Sequence, residues 1–294
     1  MNRKVQTHVD ENGTATVLLN RPEVHNAFDP DMVDQLTGVL GEIRESGDVR
    51  AVVLMGAGAS FCAGADIAHM KESARYTKKQ NFAHAERSAR MFHALYTLDK
   101  PTVACVRGAV RGGGCGLVAA CDIAIASRLA TFRLSEVKLG IVPAMISPYV
   151  IGAIGQRMAR RYMLTGEEID SAEAYRIGLV HDIVEEEDLL PRVSTILSQL
   201  YGSGPRAMAA VKSLIPLSAH ASVDERLVME TSRIIADVRA TPEAQEGLTA
   251  FLEKRKPAWV EGVGNAARKP VAKKPAQRNE VKKPARPPAR KRSR

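Results

Sequence analysis

The chain lacks any apolar run long enough to cross a bilayer, which excludes a helical membrane span. Residues 1–11 carry Lys, Asp and Glu and no apolar signal-peptide core. They read as the start of the fold, and the expected location is the cytoplasm. Cysteine is scarce, with only Cys62, Cys105, Cys115 and Cys121, all in apolar or glycine-rich surroundings. Four such thiols in 294 residues read as reduced and buried, not as a disulfide framework. No Cys/His spacing resembles a zinc site, so no metal is expected. Neither glycine-rich passage fits the Gly-x-Gly-x-x-Gly dinucleotide pattern or carries a P-loop lysine. Residues 261–294 hold no aromatic side chain, which excludes base stacking there.

What that last segment does hold is positive charge. It has 12 Lys/Arg against 2 Glu, a net of +10, while residues 1–260 have 30 against 31, a net of −1. The overall +9 therefore describes a near-neutral body with a basic Lys/Arg/Pro-rich tail. Such a tail is expected to be disordered, with at most weak, salt-dependent, non-specific binding to polyanions.

The body reads as α/β. Strands are expected over 4–9 and 14–19, joined at Asn12-Gly13 as a hairpin. Asp29-Pro30 opens a helix reaching about Arg44, with Met32, Leu36, Val39, Leu40 and Ile43 on its apolar face. Short apolar runs at 51–55, 102–106 and 123–126 read as buried strands of a parallel sheet, with helices between them. Apolar periodicity over 211–217, 223–238 and 242–253 marks a helical C-terminal part. The expected organisation is a catalytic core over 1–200, a helical oligomerisation region over 201–260 and the tail over 261–294.

Two glycine-rich passages follow two of the buried strands. They are Ser60-Phe61-Cys62-Ala63-Gly64-Ala65-Asp66-Ile67 and Gly108-Ala109-Val110-Arg111-Gly112-Gly113-Gly114-Cys115-Gly116. Both can present bare backbone amides, and the second opens a helix. Two converging amides can hold an oxyanion, although tight turns alone would explain the glycines. Glu136, between apolar neighbours, can be a raised-pKa acid/base or an ordinary ion-pair partner. His69 and His93 read as packing or surface histidines, Asp66 as a helix cap, Trp259 as the end of the last packed helix, and Tyr149 as a packing residue or one that projects toward an acyl pocket.

Taken together these marks resemble the crotonase (enoyl-CoA hydratase/isomerase) superfamily over residues 10–257. The resemblance rests on Leu19-Asn20-Arg21-Pro22 with Asn26-Ala27, on Phe61-Cys62-Ala63-Gly64-Ala65-Asp66, and on Gly112-Gly113-Gly114 leading to Cys121-Asp122-Ile123. Glu136 with Leu139-Gly140-Ile141-Val142-Pro143 completes it. It implies a spiral of ββα repeats with a helical C-terminal trimerisation region, assembled as a homotrimer or homohexamer. It also implies an acyl-CoA substrate, with coenzyme A as part of the thioester and no further cofactor. Glu136 would be the acid/base, and the amides of Ala65 and Gly113 the oxyanion hole. His25, Asn26, Ala63, Asp66, Ile67 and Ala68 would line the coenzyme A thioester, with Phe251 and Lys254 near its phosphates.

One departure stands out. Hydratases of the family commonly carry a second glutamate just after the triple glycine, where this chain has Gly116. One carboxylate suits an isomerase, and suits a hydratase if the substrate or an ordered water supplies the second function. Stretches at 113–126, 134–150 and 159–166 are most similar to bacterial 3-methylglutaconyl-CoA hydratases of leucine catabolism, and isohexenylglutaconyl-CoA hydratases are also similar. Those substrates end in a carboxylate, for which Arg111, Arg133 and Lys138 are the candidate partners.

Overall fold

The computed structural model describes residues 3–219 and 221–261. From residue 262 onward the basic tail, and with it the expected polyanion binding, lies outside the described residues. β1 (Val5–Val9) and β2 (Thr14–Leu19) form the expected hairpin, with Val5 opposite Leu19. Its turn requires Gly13, at φ +81°, because a Cβ there would stand 2.5 Å from the Asp48 carbonyl oxygen. α1 (Pro30–Glu45) is capped by the Asp29 carboxylate, which accepts from the Met32 amide at 2.8 Å.

From there the chain repeats one path: a strand of a large sheet, a short stretch in a second sheet, then a helix. β3 (Ala51–Gly56) leads to Cys62, which bridges Val110, and then to α2 (Ile67–Ser73) and α3 (Lys78–Tyr96). β4 (Thr102–Val106) leads to β5 (Ala109–Arg111) and α4 (Gly113–Ala120). β6 (Ile123–Ser127) leads to β7 (Thr131–Arg133) and α5 (Ser147–Thr165). β8 (Glu168–Asp170), α6 (Ser171–Arg176), β9 (Asp182–Val184) and α7 (Leu189–Tyr201) close the body. The large sheet runs β1-β2-β3-β4-β6-β9, parallel after its first pair, and the small sheet runs β5-β7-β8. This is the spiral of ββα repeats that the resemblance implied. It ends in the helices α8 (Pro205–Ala219), α9 (Glu225–Arg239), α10 (Pro242–Leu252) and α11 (Ala258–Glu261).

Both faces of the large sheet are covered, which is why its strands read as unbroken apolar runs. Alternate residues Val52, Leu54, Ala104 and Val106 join the main core with α1, α3 and α4. Their neighbours Val53, Val103, Cys105 and Ile125 pack against Leu189 and Val193 of α7. All four cysteines are free and buried. Burial pushes the thiols of Cys62, Cys115 and Cys121 up to about 12, so none is a neutral-pH nucleophile. The strands of the small sheet, three residues each, escape sequence reading because no alternation is legible over so short a span.

Candidate active site

The two glycine-rich loops are zipped together beyond the ends of β3 and β4. The Phe61 amide donates to the Arg107 carbonyl at 2.9 Å, the Cys62 amide to Ala109 at 3.3 Å, and the Arg111 amide to Cys62 at 2.9 Å. Glycine permits this approach. A Cβ at Gly114 would stand 2.5 Å from the Cys62 carbonyl oxygen, and one at Gly64 would stand 2.8 Å from that of Arg111. Phe28 then clamps Ala65 from both sides: its amide donates to the Gly64 carbonyl at 2.6 Å and its carbonyl accepts from Asp66 at 2.8 Å. Ala65's own amide donates to no group among the described residues, and neither does that of Gly113, the first residue of α4. Two unspent N–H donors on touching loops, one at a helix start, suit a negatively charged oxygen.

Glu136 opens the single helical turn Glu136–Leu139 after β7. Its Oε1 lies against Gly112, where a Cβ would stand 3.0 Å away; that glycine has φ +48° and immediately precedes Gly113. Its Oε2 is buried with no hydrogen-bond partner among the described residues. Burial pushes the carboxyl above the usual carboxylate range, and the residue's own backbone amide offsets part of that. A carboxyl group with one unpartnered oxygen, next to the loop that carries two unspent amides, can exchange a proton with a group held there.

One turn along α4 sits Gly116. A Cβ there would stand 2.7 Å from Ile146 Cβ and 3.1 Å from Phe92 Cε1. Ile146, just before α5, is 2% exposed and fills the volume a side chain at 116 would need. Gly116→Ala is therefore expected to cost about 1–3 kcal/mol of stability by overpacking. Adding Ile146→Ala should recover part of that loss, and a denaturant double-mutant cycle measures the coupling. Strictly additive losses would mean that the two sites do not share this space.

The other expected residues divide. The Asn26 side chain is committed to the fold: it is fully buried, and its Nδ2 donates to the carbonyls of Ala57, Ser60 and Phe61 while its Oδ1 accepts from the Arg21 amide. It holds the loop, as a buried amide must find partners. Asp66 is likewise spent, pairing with Arg21 at 2.8 Å and capping α2 through the Ala68 amide. His25 is held in a left-handed turn at φ 52° with its Nδ1 3.0 Å from Ser60 Oγ. Ala63 is fixed by donating to the His25 carbonyl, and Ile67 and Ala68 are exposed on the first turn of α2. Arg111 is committed to Glu168 at 2.8 Å and to the Thr131 carbonyl. Arg133 donates from Nε to the Gly166 carbonyl, and Lys138 is exposed. Tyr149 packs with Phe92 and Tyr96. His69 stands 3.8 Å from Glu72 and beside His84 and Tyr76.

Phe251 and Lys254 lie at the end of α10 and just beyond it, apart from the two glycine-rich loops. α10 is tied through Trp259, against Gly247, to Arg50 at the start of β3. The loop bearing Ala65 follows the far end of that six-residue strand, about 20 Å on. Both residues are exposed, and Lys254 holds φ 56°. Sequence reading missed Phe28 and Ile146, whose roles depend on contacts made across the fold. Among the described residues no group of three or more His, Cys, Asp or Glu is placed to hold a metal, and no helix is long and apolar enough to cross a membrane.

Residues 10–262 match the family described as enoyl-CoA hydratase/isomerase. The chain is 36% identical over 257 residues to the short-chain-enoyl-CoA hydratase of Clostridium acetobutylicum, covering 87% of this chain and 96% of that one. It is 34% identical over 250 residues to the (E)-benzylidenesuccinyl-CoA hydratase of Thauera aromatica, covering 84% and 96%. Among solved structures, an enoyl-CoA hydratase from Shewanella pealeana superposes with a TM-score of 0.85 at 40% identity, over 87% of this chain and 96% of that one.

Proposed function

This chain belongs to the enoyl-CoA hydratase/isomerase family, and we propose that within it the enzyme hydrates 3-methylglutaconyl-CoA to 3-hydroxy-3-methylglutaryl-CoA, the hydration step of leucine catabolism. The family makes it a lyase of enoyl-CoA thioesters. The observation that carries the reaction type is the buried, unpartnered Oε2 of Glu136 beside the free amides of Ala65 and Gly113. The amides hold the thioester oxygen as it becomes an enolate, and Glu136 moves the proton.

Support for the acyl group comes from the three stretches at 113–126, 134–150 and 159–166 and from the dicarboxylic acyl group named for the Thauera relative. Arg133 and Lys138 form no ion pair among the described residues and flank Glu136 in sequence, so either can meet a distal carboxylate. Product analysis over a panel of enoyl-CoAs tests the reading. Efficiency should be highest on 3-methylglutaconyl-CoA. Equal or better efficiency on crotonyl-CoA would favour a short-chain enoyl-CoA hydratase, the activity named for the Clostridium relative, and double-bond migration without hydration would make the enzyme an isomerase.

Assembly as a homotrimer or homohexamer belongs to the same proposal. Its support is the apolar surface of the C-terminal helices, with Val228, Met229 and Ile235 on α9 and Leu248, Phe251 and Leu252 on α10 all exposed. Phe251 and Lys254, remote from their own chain's loop, can then serve the coenzyme A phosphates of a second copy.

A further inference from the structure

The place of a second acid/base is filled by hydrocarbon. Gly116 projects nothing, and the space beside it is taken by Ile146 and Phe92, both buried. The other carboxylates around the two loops are already engaged. Asp66 is held by Arg21 and the Ala68 amide, and Glu168 by Arg111. The nearby thiols, Cys62 and Cys115, are held far above neutral by burial. Among the described residues Glu136 is the carboxylate with a buried oxygen left unspent, and its two oxygens face different surroundings: Oε1 lies against Gly112, while Oε2 is buried and unpartnered.

We propose that one carboxyl group, that of Glu136, performs both proton steps of the addition, with Ile146 closing off the position from which a second acid would act. The inference rests on the hydratase reading. In the first step a water O–H bond breaks, its proton passes to Glu136, and the oxygen bonds to Cβ. The C=C electron pair moves through Cα onto the thioester oxygen, held by the Ala65 and Gly113 amides. In the second step Glu136 gives that proton to Cα, the enolate electrons form the new C–H bond, and the carboxylate is restored. One water has then been added, and no other donor is consumed. A single carboxyl group reaches one face of the substrate, so hydroxyl and hydrogen arrive on the same face.

Exchange of the Cα hydrogen isolates the second step. A saturated thioester such as butyryl-CoA has no double bond to hydrate. In D2O its Cα hydrogens exchange only if some group removes and returns a proton under enolate stabilisation. NMR follows this exchange in the full-length enzyme alongside hydration of an enoyl-CoA. Glu136→Gln is expected to lower both rates by at least about 100-fold, with binding of a saturated acyl-CoA retained as the check on folding. Glu136→Asp, which keeps the carboxyl but shortens its reach, should lower both by similar factors. Exchange persisting within about tenfold of the parent rate in Glu136→Gln, while hydration is lost, would show a second acid/base and overturn the single-carboxyl proposal. His69→Asn should leave the ratio of the two rates as it is, and loss of exchange alone in that variant would also overturn it. A protein that exchanges Cα hydrogens but hydrates no enoyl-CoA would instead refute the hydratase reading.

Discussion

Glu136→Gln should lower kcat by about 10²–10⁴-fold, the range that a positioned acid/base supplies. The amide is isosteric and cannot take up or release the proton. The carboxylate is not tied to another element: among the described residues Oε2 has no partner, and the amide that offsets its raised pKa is Glu136's own. KM for an enoyl-CoA should therefore move little, and stopped-flow or coupled-assay kinetics separate the two constants. Near-normal turnover would remove Glu136 from the mechanism.

The same variant should be slightly more stable than the parent at neutral pH. Burial raises the Glu136 pKa in the folded protein, so the folded state binds this proton more tightly than the unfolded chain does. Stability at this site is therefore gained as pH falls through the raised pKa, and the ionised form present above it is a cost to folding. Gln removes the cost. Activity has the opposite sign, because the base form is the working form. kcat/KM should fall with decreasing pH along a limb lying above the ordinary glutamate range, with that limb absent from the residual rate of Glu136→Gln. Thermal unfolding at pH 7 and a pH profile check the two halves. A Tm lowered by the substitution would mean that the carboxylate has a structural partner after all.

Elements whose information is local were legible in the sequence. The hairpin at Asn12-Gly13, the Asp29 cap of α1 and the buried strands β3, β4 and β6 lie where composition and spacing put them. Only the family resemblance joined Ala65, Gly113 and Glu136 into a site; composition and spacing could not, because the two loops meet through the pairing of residues 61–62 with residues 107–111. The resemblance places Asn26 along the coenzyme A thioester, and nothing local to it tells what its side chain does in the fold. Its amide is in fact consumed by three carbonyls from a loop about 30 residues away, and only the folded chain shows that demand. Gly116 was visible as a missing glutamate. That Ile146, 30 positions on, occupies the vacated volume has no signature in either stretch.

Ala65→Pro tests the oxyanion assignment with the least collateral damage. Proline deletes a backbone N–H, and at most positions that removes a bond the fold needs. At Ala65 it does not. The clamp on this residue uses the Gly64 carbonyl and the Asp66 amide, on either side, and leaves the Ala65 amide unspent. The preceding residue is Gly64, already at φ +85°, and a glycine tolerates the restriction that proline places on its predecessor better than any other residue. Gly113 is a poorer place for the same test, because a Cβ there would stand 2.9 Å from the Phe28 ring. Loss of one oxyanion donor costs roughly 3 kcal/mol in the transition state, or about 10²–10³-fold in kcat. The pyrrolidine ring also points where the N–H did, into the space the thioester oxygen would enter, so the measured loss should reach or exceed that range. Ala65→Gly keeps the donor and should lose far less. Both variants should unfold at temperatures within a few degrees of the parent. If folded Ala65→Pro enzyme turned over normally, the thioester oxygen would have to be held elsewhere, and the free amides of Ala65 and Gly113 would need another explanation.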